Sequence, residues 1–191
     1  MDKVILEPRL VCNLSTLAST RVHQITNLLS PIAKQGKNLN CRQLSVGRKI
    51  IYGASDSFET GIDYMDWRFK TYVDDYNAMY YERWVPMAGD KFFLERAYFH
   101  IYQIHKSEDR IEEYILLHCD PGEPKDSAHL QYKVGPHLHV YSAAEPYNIF
   151  HIGLNNSNIH AVSTSIEDLD YAFAQAVQMI DHQILFQIGT R

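Results

Sequence analysis

Hydrophobic residues recur at helical spacing near both ends of the chain. In one segment they occupy positions 14, 17, 18, 22, 25, 28, 29 and 32, and in the other positions 166, 169, 173, 177, 180, 184 and 188. This i, i+3, i+4 spacing puts each set on one face of an amphipathic helix. Asn13 or Ser15 can cap the first helix. Thr164 and Glu167 have the spacing of a capping box, which predicts that the second helix covers 164–188.

The residues between these helices favour β-strands, because β-branched and aromatic side chains are frequent there. The run QLSVGRKIIYG, residues 43–53, predicts one strand with a weak point at Gly47. Residues 64–84 also fit a helix, but their aromatic content favours two strands around the turn DDYN. The remaining predicted strands cover 92–105, 110–119, 130–134, 137–142 and 148–154. The first two of these flank KSED, a break of hairpin size.

These elements predict an α+β fold in which an N-terminal and a long C-terminal amphipathic helix pack on an antiparallel β-sheet. A chain of 191 residues is long enough for one core, so we expect a single domain over 1–191. Within it we expect a basic helix and strand over 1–50, the sheet over 58–160 and the last helix over 164–188.

The composition is typical of a globular protein rather than a membrane or disordered one, with 46% hydrophobic and 21% charged residues. No apolar run approaches the roughly 20 residues that span a bilayer. Three widely spaced cysteines, Cys12, Cys41 and Cys119, argue against a disulfide framework. Since the N-terminal segment also lacks the features of a secretory signal, we expect a cytoplasmic protein without a membrane partner.

The charges are distributed unevenly along the chain. The net charge is −5, yet residues 1–50 carry 8 Lys or Arg against 2 Asp or Glu. Such an asymmetry is consistent with a nucleic-acid-binding face on the N-terminal segment. It is equally consistent with a basic segment that packs on the acidic remainder of its own chain.

Histidines are concentrated in the second half of the chain, where six of the ten fall within 43 residues. His137 and His139 occupy alternate positions of a predicted strand, so we expect both imidazoles to face a groove or solvent, while Leu138 and Val140 face a core. His118 and His151 lie in or beside the neighbouring predicted strands. Antiparallel pairing would bring such strands about 4.8 Å apart, which makes this region the strongest candidate site.

Three interpretations of these histidines stay open. In the first, His137, His139, His151 and His118 bind a divalent metal such as zinc, with Asp120 or Glu145 as an alternative carboxylate ligand. In the second, His137 and His139 act as a metal-free acid and base that cleave RNA. Lys133 would then stabilise the phosphate, and Tyr132 and Tyr141 would stack on bases. In the third they are structural, the role assigned to His23, His100, His105, His160 and His182.

The stretches LQYKVGPHLHVYS and STSIEDLDYAFAQAV, in that order after a strand with an acidic turn, resemble TumE-type proteins, the toxin half of bacterial toxin–antitoxin pairs. The resemblance covers residues 92–185. It departs from the family pattern in the histidine run, which is P-H-x-H here, and in Tyr132-Lys133, where the family has Tyr-Arg followed by Asp-Asn. The resemblance implies a cytoplasmic prokaryotic protein that acts on RNA or is held by an antitoxin-like protein partner.

The leading hypothesis is therefore a small RNA-directed, nuclease-like protein of a bacterial toxin or defence module, a ribonuclease or phosphodiesterase. Its catalytic residues would be His137, His139 and Lys133. The alternative is a non-catalytic interaction or accessory protein in which the histidine cluster holds a structural metal. The acidic body and the aromatic middle of the chain suit such a partner surface.

Overall fold

The structure is a computed structural model that describes residues 10–121, 135–141, 149–154 and 165–190. Helix α1 covers Leu14–Leu29, and helix α2 covers Ile166–Ile180 and continues through a π-helical turn, Asp181–Leu185, into a last turn, Phe186–Gly189. The strands are β1 (Val11–Asn13), β2 (Cys41–Val46), β3 (Lys49–Ala54), β4 (Arg68–Lys70), β5 (Tyr76–Pro86), β6 (Lys91–His105), β7 (Arg110–Cys119), β8 (His137–Tyr141) and β9 (Ile149–Gly153). Short 3₁₀ turns cover Gly36–Asn38 and Tyr64–Asp66.

The nine strands in the described part of the chain form one sheet, and every pairing is antiparallel. The main path runs β2-β3-β5-β6-β7-β8-β9, with β1 on the start of β6 and β4 on the start of β5. The predicted α+β fold is confirmed, with one helix early in the chain and one at its end. The sheet begins before the predicted 58–160, because β1, β2 and β3 all precede residue 58. The predicted strand over 130–134 lies outside the described residues.

Residues 43–53 form a hairpin, so the prediction of a single strand there was wrong. Val46 of β2 pairs with Lys49 of β3, which leaves Gly47 and Arg48 as a two-residue turn. Gly47 has φ +60°, a left-handed conformation that glycine adopts without a Cβ clash. Gly47, which weakened the predicted strand, therefore begins the turn between β2 and β3.

Both helices pack on the same face of the sheet. The predicted apolar stripe of α2 is confirmed: Ile166, Leu169, Phe173, Val177 and Ile180 are buried in the core, and Ile184 and Ile188 pack against it. Two boundaries differ from the prediction. Helix α1 ends at Leu29, before the apolar stripe does at Ile32, since Pro31 has no backbone N–H to continue the helix. The N-cap of α2 is Ser165, whose hydroxyl accepts from the backbone N–H of Asp168. Neither of these described helices is long and apolar enough to cross a membrane.

A buried salt bridge joins α1 to the sheet. The side chains of Arg21 and of Glu82 in β5 are fully buried, and Nε of Arg21 lies 2.9 Å from Oε2 of Glu82. Tyr80 and Trp84 also donate to this carboxylate. Burial would raise the pKa of Glu82, but the Arg21 guanidinium and these donors hold it below its ordinary value. Arg21 also donates to Asp170 of α2 at 2.8 Å, so this cation of the basic segment pairs within the fold.

Replacement of Glu82 by Leu should destabilise the protein by about 3–5 kcal/mol, because the buried Arg21 charge keeps Asp170 but loses its fully buried partner, and Tyr80 and Trp84 lose their acceptor. The double variant Arg21→Met with Glu82→Leu should recover part of that loss, since it removes the two fully buried charges, while Asp170 loses its cation. The free energy of unfolding from urea titration measures both effects.

Asp74→Asn is the matched control, because it breaks the exposed Lys34–Asp74 pair, which is screened by solvent. It should change the unfolding free energy little. A Glu82→Leu variant as stable as this control would contradict the structural importance of the buried pair.

Candidate metal centre

The register of three strands brings histidines together on the face of the sheet opposite the helices. His118 in β7 pairs with Tyr98 in β6 on one side and with His137 in β8 on the other. His139 follows two residues later and points the same way as His137. Leu138, between them, packs against the core on the helical face. Strand alternation thus places the imidazoles away from the helices.

Asp120, directly after β7, joins His118, His137 and His139 in what we call the His–Asp cluster. One potential ligand atom from each residue lies within 4.8 Å of all the others. Nε2 of His137 is 3.2 Å from Nε2 of His139, and Oδ2 of Asp120 is 3.6 Å from Nδ1 of His118 and 3.9 Å from Nε2 of His137. Ligand atoms around a tetrahedral zinc ion are about 3.3 Å apart. The cluster therefore has the dimensions of a site for one ion.

The cluster is largely shielded from solvent. His137 is 0% exposed, and the side chains of Asp120 and His118 are 3% and 14% exposed. The expectation that both imidazoles face a groove or solvent was therefore wrong for His137. Of the two residues expected to face a core, Leu138 does, whereas Val140 is 38% exposed. Buried polar groups need compensating partners, which a bound cation can supply.

Asp120 has the properties of a ligand. Burial would raise its pKa, but His118, together with Tyr98 and His137, holds the pKa below its ordinary value. The carboxylate is therefore ionised at neutral pH. Its Oδ1 atom is buried and has no hydrogen-bond partner among the described residues. Such an orphaned oxygen in a cluster of imidazoles fits a position beside a cation.

The protonation of His137 follows from its surroundings. Its Nδ1 lies 2.9 Å from the carbonyl oxygen of Gly135, which can only accept, so Nδ1 carries the proton. Nε2 is then the nitrogen with the lone pair, and this is the atom that faces Asp120 and His139. A backbone carbonyl on the second nitrogen is a common way to orient a metal-binding histidine.

Aromatic packing holds His118 in place. The ring of Tyr98 stacks on His118 with centroids 4.1 Å apart, and Tyr64 contacts Tyr98 edge-on at 5.6 Å. Tyr64 belongs to the segment before β4, in which the ring of Trp67 lies close to Gly53. A Cβ at position 53 would come within 2.4 Å of the Trp67 ring, so only glycine permits this approach.

His100, which the sequence assigned a structural role, contacts the cluster. Its Nε2 lies 2.7 Å from Nε2 of His118, and its Nδ1 lies 3.0 Å from the hydroxyl of Tyr102. Burial, together with the neighbouring His118 and His139, lowers the pKa of His100 well below its ordinary value. The imidazole is therefore neutral at pH 7.

The structure brings together three of the four predicted metal ligands, His118, His137 and His139, with Asp120 as the carboxylate. Some predicted site residues lie outside what the structure describes. Lys133, Tyr132 and Glu145 fall in undescribed segments, and so do the side chains of Tyr141 and His151. The backbone of Tyr141 ends β8, and that of His151 pairs with His139.

The signal for His100 was present in the sequence as the alternation Tyr98, His100, Tyr102, which places all three on one face of a strand. Period-two spacing alone cannot find the contact with His118, because that contact depends on the register between β6 and β7.

Comparison with known proteins finds no matching family model, no similar curated protein and no similar solved structure. The resemblance to TumE-type proteins is therefore neither supported nor contradicted by known relatives.

Proposed function

We propose that this protein binds one divalent transition metal ion, zinc foremost, through the His–Asp cluster. The proposal depends on one observation: four ligand atoms converge within 4.8 Å in a buried part of the sheet. Three imidazoles with one carboxylate suit zinc and its neighbours in the first transition row, whereas magnesium and calcium take mainly oxygen ligands.

We further propose that the metal-bound cluster hydrolyses RNA. Asp120 Oδ2 is 3.6 and 3.9 Å from the nearest imidazole nitrogens, farther than the 3.2 Å between His137 and His139. This spacing supports three histidine ligands with Asp120 beside them, where its carboxylate can accept a proton from an attacking water. Hydrolytic zinc sites use three protein ligands and keep one position for water or substrate.

RNA as the substrate has separate support. It comes from the basic N-terminal segment and from the resemblance to TumE-type proteins. Arg48 and Lys49 of the β2–β3 hairpin line one groove together with Lys91 and Asp90. Clustered cations favour binding of a phosphate backbone, and this groove also contacts α1, so it would hold RNA beside the helical face rather than at the cluster itself. An antitoxin-like protein partner is a prediction of the resemblance alone.

The metal-free mechanism has less support than the metal-dependent one. A general acid or base must reach the atom whose proton it transfers. His137 is fully buried and its Nδ1 already donates to Gly135, so only Nε2, directed into the cluster, is left for chemistry.

A structural metal in a non-catalytic interaction protein is the second candidate. The observation in its favour is the burial of His137 and Asp120 in a cluster that offers four ligands, since structural zinc sites are closed by four protein ligands. The two candidates differ in the role of Asp120, which is a ligand in one and a proton acceptor in the other.

Protein purified without a His tag and dialysed against zinc should hold one zinc ion per chain, as measured by elemental analysis. His139→Ala should weaken zinc binding by more than about 100-fold in a chelator competition, because loss of a ligand exceeds the 10–100-fold that outer-shell changes cost. Asp120→Asn should bind zinc almost as well as the wild type if three histidines hold the ion, and far more weakly if Asp120 is a ligand.

His182→Ala is the matched control, because His182 is exposed on the turn after α2 and lies outside the cluster. Its zinc affinity should equal that of the wild type. A wild-type protein that retains no stoichiometric metal would overturn the proposed metal site.

Zinc-loaded protein should cut labelled RNA, and a chelator should abolish the cutting until zinc is restored, because the ion and Asp120 act together. Gel analysis of RNA and DNA substrates with the wild type, His137→Ala and Asp120→Asn tests this. Cutting that survives the chelator but is lost in His137→Ala would select the metal-free mechanism. If the protein binds stoichiometric zinc but cuts neither RNA nor DNA, the result would favour a structural metal in a non-catalytic protein.

A further inference from the structure

We propose that His100 is a positioning residue that turns Nδ1 of His118 toward the metal. The inference rests on the proposed metal-binding function and adds a residue outside the His–Asp cluster. His100 and His118 are diagonal neighbours across the β6–β7 hairpin, since Tyr98 lies directly opposite His118 and Leu116 directly opposite His100. Diagonal neighbours on one face of a sheet are within reach of long side chains.

A chain of polar contacts runs from the cluster into the aromatic part of this face. Nε2 of His118 lies 2.7 Å from Nε2 of His100, and Nδ1 of His100 lies 3.0 Å from the hydroxyl of Tyr102. The Tyr102 hydroxyl in turn lies 3.5 Å from the sulfur of Met65. His100 and Tyr102 are 2% and 1% exposed, so solvent does not replace these partners.

Metal ligation fixes the direction of this chain. When Nδ1 of His118 binds the ion, its proton is on Nε2, which then donates to Nε2 of His100. Because Nε2 of His100 accepts this hydrogen bond, the proton of His100 is on Nδ1, and Nδ1 donates it to the oxygen of Tyr102. The Tyr102 hydroxyl donates to the Met65 thioether, which can only accept. Every donor in the metal-bound arrangement thus has an acceptor in place.

The reverse direction is incompatible with ligation through Nδ1. If His100 donated from Nε2 to His118, the His118 proton would be on Nδ1 and would face Asp120. His100 therefore favours binding only as an acceptor. As an acceptor, His100 keeps the proton of His118 on Nε2 and leaves the lone pair on Nδ1. The Gly135 carbonyl likewise keeps the proton of His137 on Nδ1 and leaves the lone pair on Nε2. Outer-shell partners of this kind typically change metal affinity by 10–100-fold.

A matched pair of polar substitutions tests the proposal. His100→Gln places an amide near the position of Nε2 and keeps an acceptor for His118, whereas the shorter His100→Asn reaches only the position of Nδ1. In chelator competition, His100→Asn should bind zinc about 10–100-fold more weakly than the wild type. His100→Gln should stay within a few-fold of the wild type. His105→Asn, at a partly exposed histidine of the same strand, is the control and should bind normally.

The visible absorption of the cobalt-loaded protein provides a second readout, because it reports the geometry around the ion and not the stability of the fold. It should change in His100→Asn and match the wild type in His100→Gln. Tyr102→Phe, which keeps the ring and removes only the hydroxyl, should weaken zinc binding to a smaller extent. This variant tests the chain even if the changes at position 100 impair folding.

Equal zinc affinities for His100→Asn and the wild type would overturn the positioning role. So would equally weak binding by the Asn and Gln variants, which would indicate packing rather than hydrogen bonding. Failure of the wild type to bind zinc is a different result, since it would overturn the metal site itself.

Discussion

The antiparallel register of β6, β7 and β8 is the constraint on which the candidate site depends. Side chains alternate along a strand, so one register decides which residues meet on each face. Here the register places His118 beside His137 on the face opposite the helices, and Leu117 beside Leu138 on the helical face. A slip of one residue would bury imidazoles against the helices and expose the leucines. Apolar burial thus selects the register, and the convergence of the metal ligands follows from it.

Placement of the helices depends on a buried charge rather than on apolar contacts alone. Arg21 of α1 contacts Glu82 of the sheet and Asp170 of α2, so one guanidinium orients three elements. Apolar surfaces allow sliding, whereas a buried carboxylate with a bidentate partner permits little displacement. The same contact accounts for part of the positive charge of the N-terminal segment, because Arg21 is paired inside the fold. Both helices cover one face of the sheet, and the aromatic residues and histidines lie on the opposite face.

The sequence predicted what depends on local periodicity and missed what depends on pairing between strands. Helical spacing identified α1 and α2, and alternation put His137 and His139 on one side. The β2–β3 turn was missed because Gly47-Arg48 interrupts a run that is otherwise typical of one strand. Neither the burial of His137 nor the contact of His100 with His118 can be derived from spacing, since both depend on how the strands pair and pack in three dimensions. The roles of Tyr132 and Lys133 stay predictions.

The positions of the acceptor atoms in the cluster are the main electrostatic argument for the proposed metal ion. The Gly135 carbonyl fixes the lone pair of His137 on Nε2, and this atom faces Oδ2 of Asp120 at 3.9 Å. Nδ1 of His118 faces the same oxygen at 3.6 Å, while Oδ1 has no described partner. Neither distance to Asp120 is short enough for a strong hydrogen bond, and the 3.2 Å contact between Nε2 of His137 and Nε2 of His139 joins only these two imidazoles. The proposed divalent ion would attract all these atoms at once, whereas a proton joins one donor to one acceptor.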